Sequence, residues 1–442
     1  MRISRRDAVR LVTSGAVLGA AAAVRGSEPS QALRLANRGV DWRAVRALFP
    51  LSPDWVHLAS FLFVSHPRPV AAAIDRFRQK IDADPLWLEE AAFSDAEGRP
   101  FAAIKKELAD YLGGKPEEIC LTSNTTTALA MAYQGLRIRG NQEILTTEHD
   151  HYSHHESIRY SAERSGAHVR YITLYDTAAA ATAGNMAARL ERAIVPTTRA
   201  VGVTWVHSST GVKIPLAAIA DVVARANRGR AAADRCLLIV DGVHGFGNQD
   251  VDIARLGCDF FAAGTHKWFF APRGTGFLWG RGDAWPELRP TIPSFDPDGG
   301  ATWAAWMDRA ALPPTQAAFV SPGGFLAFEY FLAIPAAAAL HRTIGRAQIA
   351  ARIAELSQAF RVGASKLPNV TLHTPLDPAV SAGLSCFEVA GVDAHSVAER
   401  LREKRIRTNS SPYKASYARV ATGIMNTEAE VERVLREIRA LV

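Results

Sequence analysis

From residue 118 to residue 280 the chain alternates short apolar runs of strand length with longer stretches whose apolar positions recur at helical spacing. Strands are expected over 118–121, 143–146, 168–172, 200–206, 236–240, 260–263 and 276–279, and helices over 125–137, 153–165, 186–194 and 216–228. A strand separated from the next by a helix forms a crossover instead of a hairpin. Repeated crossovers build a covered, mostly parallel sheet, so the fold class is α/β. In such sheets ligands gather at the carboxyl ends of the strands, which makes the residues following each strand the first candidates for a site.

Around this region the pattern changes. Residues 33–70 are punctuated by Pro53, Pro67 and Pro69 and read as an extended N-terminal arm, after which helices are expected over 70–81 and 101–112. Residues 281–320, rich in Pro, Gly and Trp, read as active-site loops and a crossover. Long Ala-rich helices are expected over 325–366, and 370–442 alternates short strands with amphipathic helices. The division is therefore a large domain, 71–320, and a smaller α+β domain, 321–442. A chain of 442 residues that is 48% hydrophobic and 21% charged suits a soluble globular protein with a large core, not a disordered or fibrous one.

The first residues set a compartment. Ser4-Arg5-Arg6-Asp7, an apolar run from Leu11 to Ala23 and a possible cleavage site at Ser30-Gln31-Ala32 resemble a twin-arginine export signal spanning 1–32. The run is too short and too rich in Ala and Gly to span a bilayer comfortably. The expected partner is the twin-arginine export machinery, and the expected destination is the periplasm or the cell exterior. The formal charge is +7, but residues 1–32 carry five arginines against two acids, and the excess left elsewhere is too diffuse to argue for nucleic acid. Cys120, Cys236, Cys258 and Cys386 are scattered through apolar contexts and read as buried free thiols, and no Cys/His spacing proposes a metal site.

Lys267 follows the apolar run Phe260-Phe-Ala-Ala-Gly-Thr-His266, where a lysine has no packing reason to sit. An ammonium there either snorkels to solvent or is neutralised for chemistry. Asp241 ends the strand Leu237-Leu-Ile-Val and either makes an Asp-Gly turn or pairs with a protonated heterocycle nitrogen, as pyridoxal phosphate (PLP) requires. Consecutive parallel strands bring this acid and Lys267 to one rim. Thr125, Thr126 and Thr127 place hydroxyls and free N–H groups at a helix start, which serves either a cap or a phosphate. No Walker sequence or Gly-x-Gly-x-x-Gly turn accompanies them. His149, in Glu148-His149-Asp150-His151, is placed to stack on an aromatic cofactor.

Taken in order, Thr125-Thr126, Glu148-His149, Ser208-x-x-Gly211-x-x-x-Pro215, Val240-Asp241-Gly242, His266-Lys267 and Arg419-x-x-x-Gly423-x-x-Asn426-Thr427 resemble the class V aminotransferase family of fold-type I PLP enzymes, over residues 50–442. Isopenicillin N epimerases and cysteine desulfurases belong to that family. The resemblance implies a homodimer with PLP bound to Lys267 as a Schiff base, Lys267 also shuttling a proton. It implies that Asp241 pairs with the pyridine nitrogen and that His149 stacks on the ring. Thr125 and Thr126, with Thr265 or His266, would hold the phosphate. His244 and Ser208 fall near the ring's phenolic oxygen, where desulfurases carry glutamine and asparagine. Arg419 would clamp the substrate α-carboxylate. The chain departs from the family twice. The loop Thr408–Tyr417 lacks the nucleophilic cysteine of the desulfurases, and Phe319-Val-Ser-Pro-Gly-Gly324 replaces the Gly-Thr that reaches a neighbouring subunit's phosphate. The expected activity is that of an aminotransferase or epimerase at the Cα of an amino acid, amino-acid-derived or peptide metabolite. The alternatives are a C–S lyase without the loop cysteine and a non-catalytic PLP-fold binding protein. The resemblance also extends to exported PLP enzymes of siderophore (pyoverdine) maturation.

Overall fold

The computed structural model describes residues 34–35, 39–93 and 99–441, so the export-signal reading of 1–32 lies outside the described residues. The alternating region forms a seven-stranded sheet. In chain order its strands are β1 (Ile119–Thr122), β2 (Glu143–Thr147), β3 (His168–Ile172), β4 (Thr198–Thr204), β5 (Leu237–Asp241), β6 (Phe260–Gly264) and β7 (Gly276–Gly280). Their order across the sheet is β1-β7-β6-β5-β4-β2-β3, and every strand except β7 runs the same way. The expected α/β class is thus what the chain adopts.

Alternation along the central strands explains why both faces need cover. Leu238, Val240, Phe261 and Ala263 pack with helices α1 (Arg68–Ala83), α2 (Pro100–Leu112), α5 (Ala183–Ala193) and α6 (Leu216–Ala226). Leu237, Ile239, Phe260 and Ala262 instead pack with α3 (Thr125–Gly135) and α4 (Tyr152–Ser165). Burying each large apolar side chain stabilises by about 1.5–3 kcal/mol, so this double-sided core dominates the fold's energetics.

After Gly280 the structure differs from the expectation of loops over 281–320. Helices Gly300–Asp308 and Ala317–Val320 interrupt it. The first leaves Trp303, Trp306 and Met307 exposed, so its apolar positions mark no single buried face and give no helical periodicity to read. Helices α7 (Ile334–Ile344) and α8 (Arg346–Ala364) follow, broken at Gly345, whose φ of 103° lies in the left-handed region. A second, antiparallel sheet is built from β8 (Val370–Leu372), β9 (Leu384–Val389), β10 (Asn409–Ser410) and β11 (Ala418–Ala421), with helices α9 (Ala394–Glu403) and α10 (Glu428–Arg439) beside it.

The early segment is not simply extended. It holds the short helix Trp42–Ala47, capped by the Asp41 carboxylate, and then joins the far end of the chain. Val56 and His57 pair in parallel with Ile406 and Arg407, and Ala421 N–H donates to Leu58 O at 2.8 Å. Asn426 Nδ2 donates to His57 O at 3.0 Å, and Arg46 bridges to Glu430 at 2.8 Å. Elsewhere Lys105 of α2 is buried against the carboxylates of Asp296 and Asp298, at 2.8 and 2.9 Å, which ties that helix to the loop before Gly300. All four cysteines are free and buried, as expected. Among the described residues no helix is long and apolar enough to cross a membrane, and no His/Cys/Asp/Glu group is arranged to hold a metal.

Candidate active site

Because six strands share one direction, their carboxyl ends form a single rim, and the residues following them meet there. Asp241 ends β5 and Lys267 stands three residues beyond β6. Between these strands Asp241 faces Ala262 in register, and Gly242 permits the tight exit, since a Cβ there would lie 1.8 Å from the Phe261 ring. Lys267 Nζ comes within 3.5 Å of His244 Nε2.

The electrostatics of this trio follow from burial. Lys267 is only partly shielded from solvent as a residue, but its amine is closely enclosed by protein, and that desolvation pulls its pKa well below the usual lysine value. The Asp241 carboxylate opposes the shift, and the Arg419 guanidinium adds to it. Asp241 is moved the other way: burial raises its pKa, against the Val243 N–H it accepts at 3.1 Å and the Lys267 charge. His244 is buried and held neutral by desolvation and by Lys267, and its Nδ1 has no partner.

The start of α3 lies beside the end of β6. Asn124 caps the helix through Thr127 N–H at 2.9 Å, while Ser123 and Thr127 hydroxyls bond one another at 3.1 Å. Thr125 Oγ1 accepts Gly264 N–H at 2.7 Å, which fastens the helix start to β6, and Thr126 is exposed. The first-turn N–H groups of Thr125 and Thr126 have no intrahelical acceptor, so an anion-favouring end is available. His266 stands next to this point with its Nδ1 unpartnered, and burial lowers its pKa to about 4. Thr265 is fully buried, with its hydroxyl 2.5 Å from Thr275 Oγ1.

His149 follows β2 and stacks on Tyr175, with centroids 3.9 Å apart and planes 8° from parallel. Its Nε2 is buried without a partner, and burial lowers its pKa. Under it lie two groups that the sequence reading did not assign, Asp150 and His207. The residue spacing gave no sign of them, because their meeting depends on β4 lying between β2 and β5.

The antiparallel sheet supplies the remaining wall. Arg419 on β11 is buried, yet no carboxylate among the described residues pairs with it. Its guanidinium donates to Asn409 Oδ1, Ser208 O and Ser410 O at 3.1, 3.0 and 3.2 Å and lies over the Phe61 ring at 4.6 Å. Ser208 is the hinge of this wall: its carbonyl holds Arg419, and its hydroxyl lies 2.5 Å from the Tyr413 hydroxyl. Tyr413 sits on the loop Thr408–Tyr417, its ring edge against His151 at 6.3 Å. Neither Tyr413 nor His151 was singled out from sequence. A tyrosine on a loop carries no periodic signal, and only the fold brings it to Ser208.

An α/β sheet with its lysine, carboxylate and imidazoles at one rim, and an arginine brought in from a second sheet, is the architecture of the fold-type I PLP enzymes. A solved lysine-to-alanine mutant of C-DES, with glycine covalently linked to the PLP cofactor, superposes with a TM-score of 0.76 at 23% identity, covering 89% of this chain and 98% of that one. The Escherichia coli cysteine desulfurase CsdA matches with a TM-score of 0.73 at 19% identity, covering 90% and 97%. The chain belongs to the aminotransferase class-V family, whose model matches residues 65–434. It is 27% identical over 408 residues to the isopenicillin N epimerase of Streptomyces clavuligerus, covering 91% of this chain and 98% of that protein. A probable cysteine desulfurase of Methanothermobacter thermautotrophicus is 26% identical over 362 residues, covering 81% and 84%.

Proposed function

We propose that this protein is a PLP-dependent enzyme acting at the Cα of an amino acid or amino-acid-derived metabolite, as an epimerase or aminotransferase. The observation that carries this reading is the enclosed Lys267 amine, depressed in pKa, at one rim with the buried Asp241 and with Arg419, which no carboxylate among the described residues neutralises. The residues fit the cofactor. Buried polar atoms are almost always hydrogen-bonded, and here His149 Nε2, His244 Nδ1 and His266 Nδ1 lack partners around Lys267. His149 would lie against the ring, Asp241 would accept from the ring nitrogen, and His244 with Ser208 would face the phenolic oxygen. The N–H groups of Thr125 and Thr126 and the His266 imidazole would receive the phosphate. When bound, PLP supplies an electron sink for the charge left at Cα when a proton departs.

The protein's own contribution is positioning and proton transfer. A lysine with a lowered pKa is neutral, and hence basic, over a wider range than an exposed one, which suits Lys267 to take the Cα proton. Arg419, already fixed by three acceptors, would bind the α-carboxylate and set which Cα bond faces Lys267. The described cysteines do not suit persulfide chemistry. Each is buried, and burial pushes Cys120, Cys236 and Cys386 up to about 12, far from a reactive thiolate. Transport by the twin-arginine route, acting on residues 1–32, and a homodimer formed through the exposed Trp303, Trp306, Met307 and Phe325 belong to the same proposal. A signal-reporter fusion and analytical ultracentrifugation test these two points.

The enzyme reading is tested by absorption. PLP-supplemented protein is expected to show a band near ~420 nm that borohydride abolishes and that Lys267→Ala lacks. Absence of the band overturns the reading. Incubation with an amino-acid panel in D2O then separates the reactions: α-deuteration alone marks an epimerase, a keto acid formed together with pyridoxamine phosphate an aminotransferase, and a sulfur species released with pyruvate and ammonia from a sulfur amino acid a C–S lyase.

A further inference from the structure

Beneath the rim runs a buried polar chain that the proposed reaction does not use. Tyr133 of α3 places its hydroxyl 2.7 Å from His154 Nε2, and His154 Nδ1 lies 3.4 Å from Thr204 Oγ1. Gly202 on β4 makes room for this, since a Cβ there would stand 2.2 Å from the Tyr133 hydroxyl. Thr204 N–H donates to Asp150 Oδ1 at 2.7 Å. The other carboxylate oxygen accepts from Thr146 Oγ1, Thr147 N–H and Thr147 Oγ1 at 2.9, 2.9 and 2.8 Å. On its far side Asp150 lies 3.8 Å from His207 Nε2, and His207 Nδ1 is 2.8 Å from the hydroxyl of Tyr175, the ring on which His149 stacks.

Such a site is expensive to build for packing alone. A carboxylate shielded from solvent is tolerated in its charged form only where several donors meet it, and Asp150, 2% exposed, accepts four hydrogen bonds. Two features connect it to the rim. It is the residue after His149, and its donor Thr204 is the register partner of Asp241 across β4 and β5, where Trp205 N–H also donates to Asp241 O at 2.9 Å. Two nearby carboxylates resist ionising together, and the better hydrogen-bonded one keeps the charge. Asp150 has four donors, while the Asp241 carboxylate has Val243 N–H.

Resting on the function proposed above, we propose that Asp150 is a positioning residue: its fixed negative charge strengthens Asp241 as acceptor for the cofactor's ring nitrogen, and its hydrogen bonds hold His149 in the stacking plane. The titrating neighbours agree with this division. Burial, the largest single influence, pushes Asp150 up, and the Thr147 and Thr204 hydrogen bonds, joined in acid by protonated His154 and His207, outweigh it and hold Asp150 at about 2. His154 and His207 are themselves pushed by burial to about 4 and about 3, so near pH 7 both are neutral and the hydrogen bonds alone meet the Asp150 charge. Lys267 opposes the effect of Asp150 on Asp241, and Tyr133, Tyr175 and Tyr413, all raised by burial, remain protonated around the pair.

The test uses PLP-loaded enzyme with Asp150→Asn and, as a smaller neutral replacement, Asp150→Ser. Removing the charge is expected to move the pH titration of the visible band to lower pH by about one unit and to lower kcat on the order of tenfold, with KM little changed. Circular dichroism confirms that the variants are folded. A wild-type protein without the band refutes the proposed function itself. A wild-type band with an unchanged titration in either folded variant overturns the role of Asp150, and failure of both variants to fold assigns Asp150 to structure alone and overturns it as well.

Discussion

Lys105 and Lys267 are both drawn out of bulk solvent, in different parts of the molecule, and they are kept there in opposite ways. Lys105 meets two carboxylates at hydrogen-bonding distance. Burial pushes its pKa down, but Asp296 and Asp298 outweigh that and raise it. Among the described residues no carboxylate is hydrogen-bonded to Lys267; its close polar neighbour is a neutral imidazole, and its pKa falls. The first arrangement fixes a charge to join a helix to a loop. The second leaves an amine free to change its protonation, which is the property a reaction needs and a structural tie does not.

Exchanging each lysine separates these roles. Lys267→Ala is expected to lower turnover on the order of 10²–10⁴-fold without lowering the urea midpoint, measured by single-turnover kinetics beside equilibrium unfolding. Lys105→Met removes one partner of a buried ion pair and leaves Asp296 uncompensated, so it is expected to destabilise by about 3–5 kcal/mol with kcat unchanged in the folded fraction. Arg419→Lys keeps a cation but loses the planar fork, and is expected to raise KM for a carboxylate substrate by an amount worth about 1.5–3 kcal/mol. An unchanged KM would remove Arg419 from the substrate site.

The smallest effect is a slope. In cofactor-free protein the raised pKa of Lys105 gives stability that is complete below the unfolded lysine value of ~10.4 and is lost only as pH rises through the higher folded value. The lowered pKa of Lys267 works the other way. Its unfolded state binds more protons than its folded state between the depressed value and ~10.4, so stability rises with pH in that window. Urea unfolding of Lys267→Met and Lys105→Met at pH 7, 8.5 and 10 therefore gives a difference from wild type that shrinks for the first and stays constant for the second. Parallel behaviour would erase the distinction between the two lysines.

The two lysines also mark what a sequence makes legible. Lys267 stood out because its neighbours Phe260 to Ala263 are an unbroken apolar run, and Asp241 because it ends another; the parallel sheet then follows from local periodicity. Lys105 carries no such mark, since its carboxylates lie on a loop far along the chain that no local pattern connects to α2. Tyr413 carries none either, since its partner Ser208 lies far back along the chain, and Asp150 meets Thr204 and His207 only because the sheet brings their strand beside its own. Thr265 and His266 stand together as phosphate candidates because adjacency cannot say which of two side chains points inward; in the fold the Thr265 hydroxyl has Thr275 as partner while His266 Nδ1 has none. Gly300–Asp308 was missed because its apolar residues lie largely at the surface, where helical spacing encodes no buried stripe.

The stitching of residues 46–58 onto residues 405–430 has a consequence in time. Val56 and Leu58 take their backbone partners from Arg405 and Arg407, which a ribosome adds some three hundred and fifty residues later. A nascent chain must therefore carry this early segment unpaired until synthesis is nearly over. A truncated chain ending before Arg405 leaves the Val56 and Leu58 amides without those acceptors. The contact joining the two ends is among the longest loops the chain closes, so completion of the polypeptide, not the docking of its first half, sets when this wall of the site first exists.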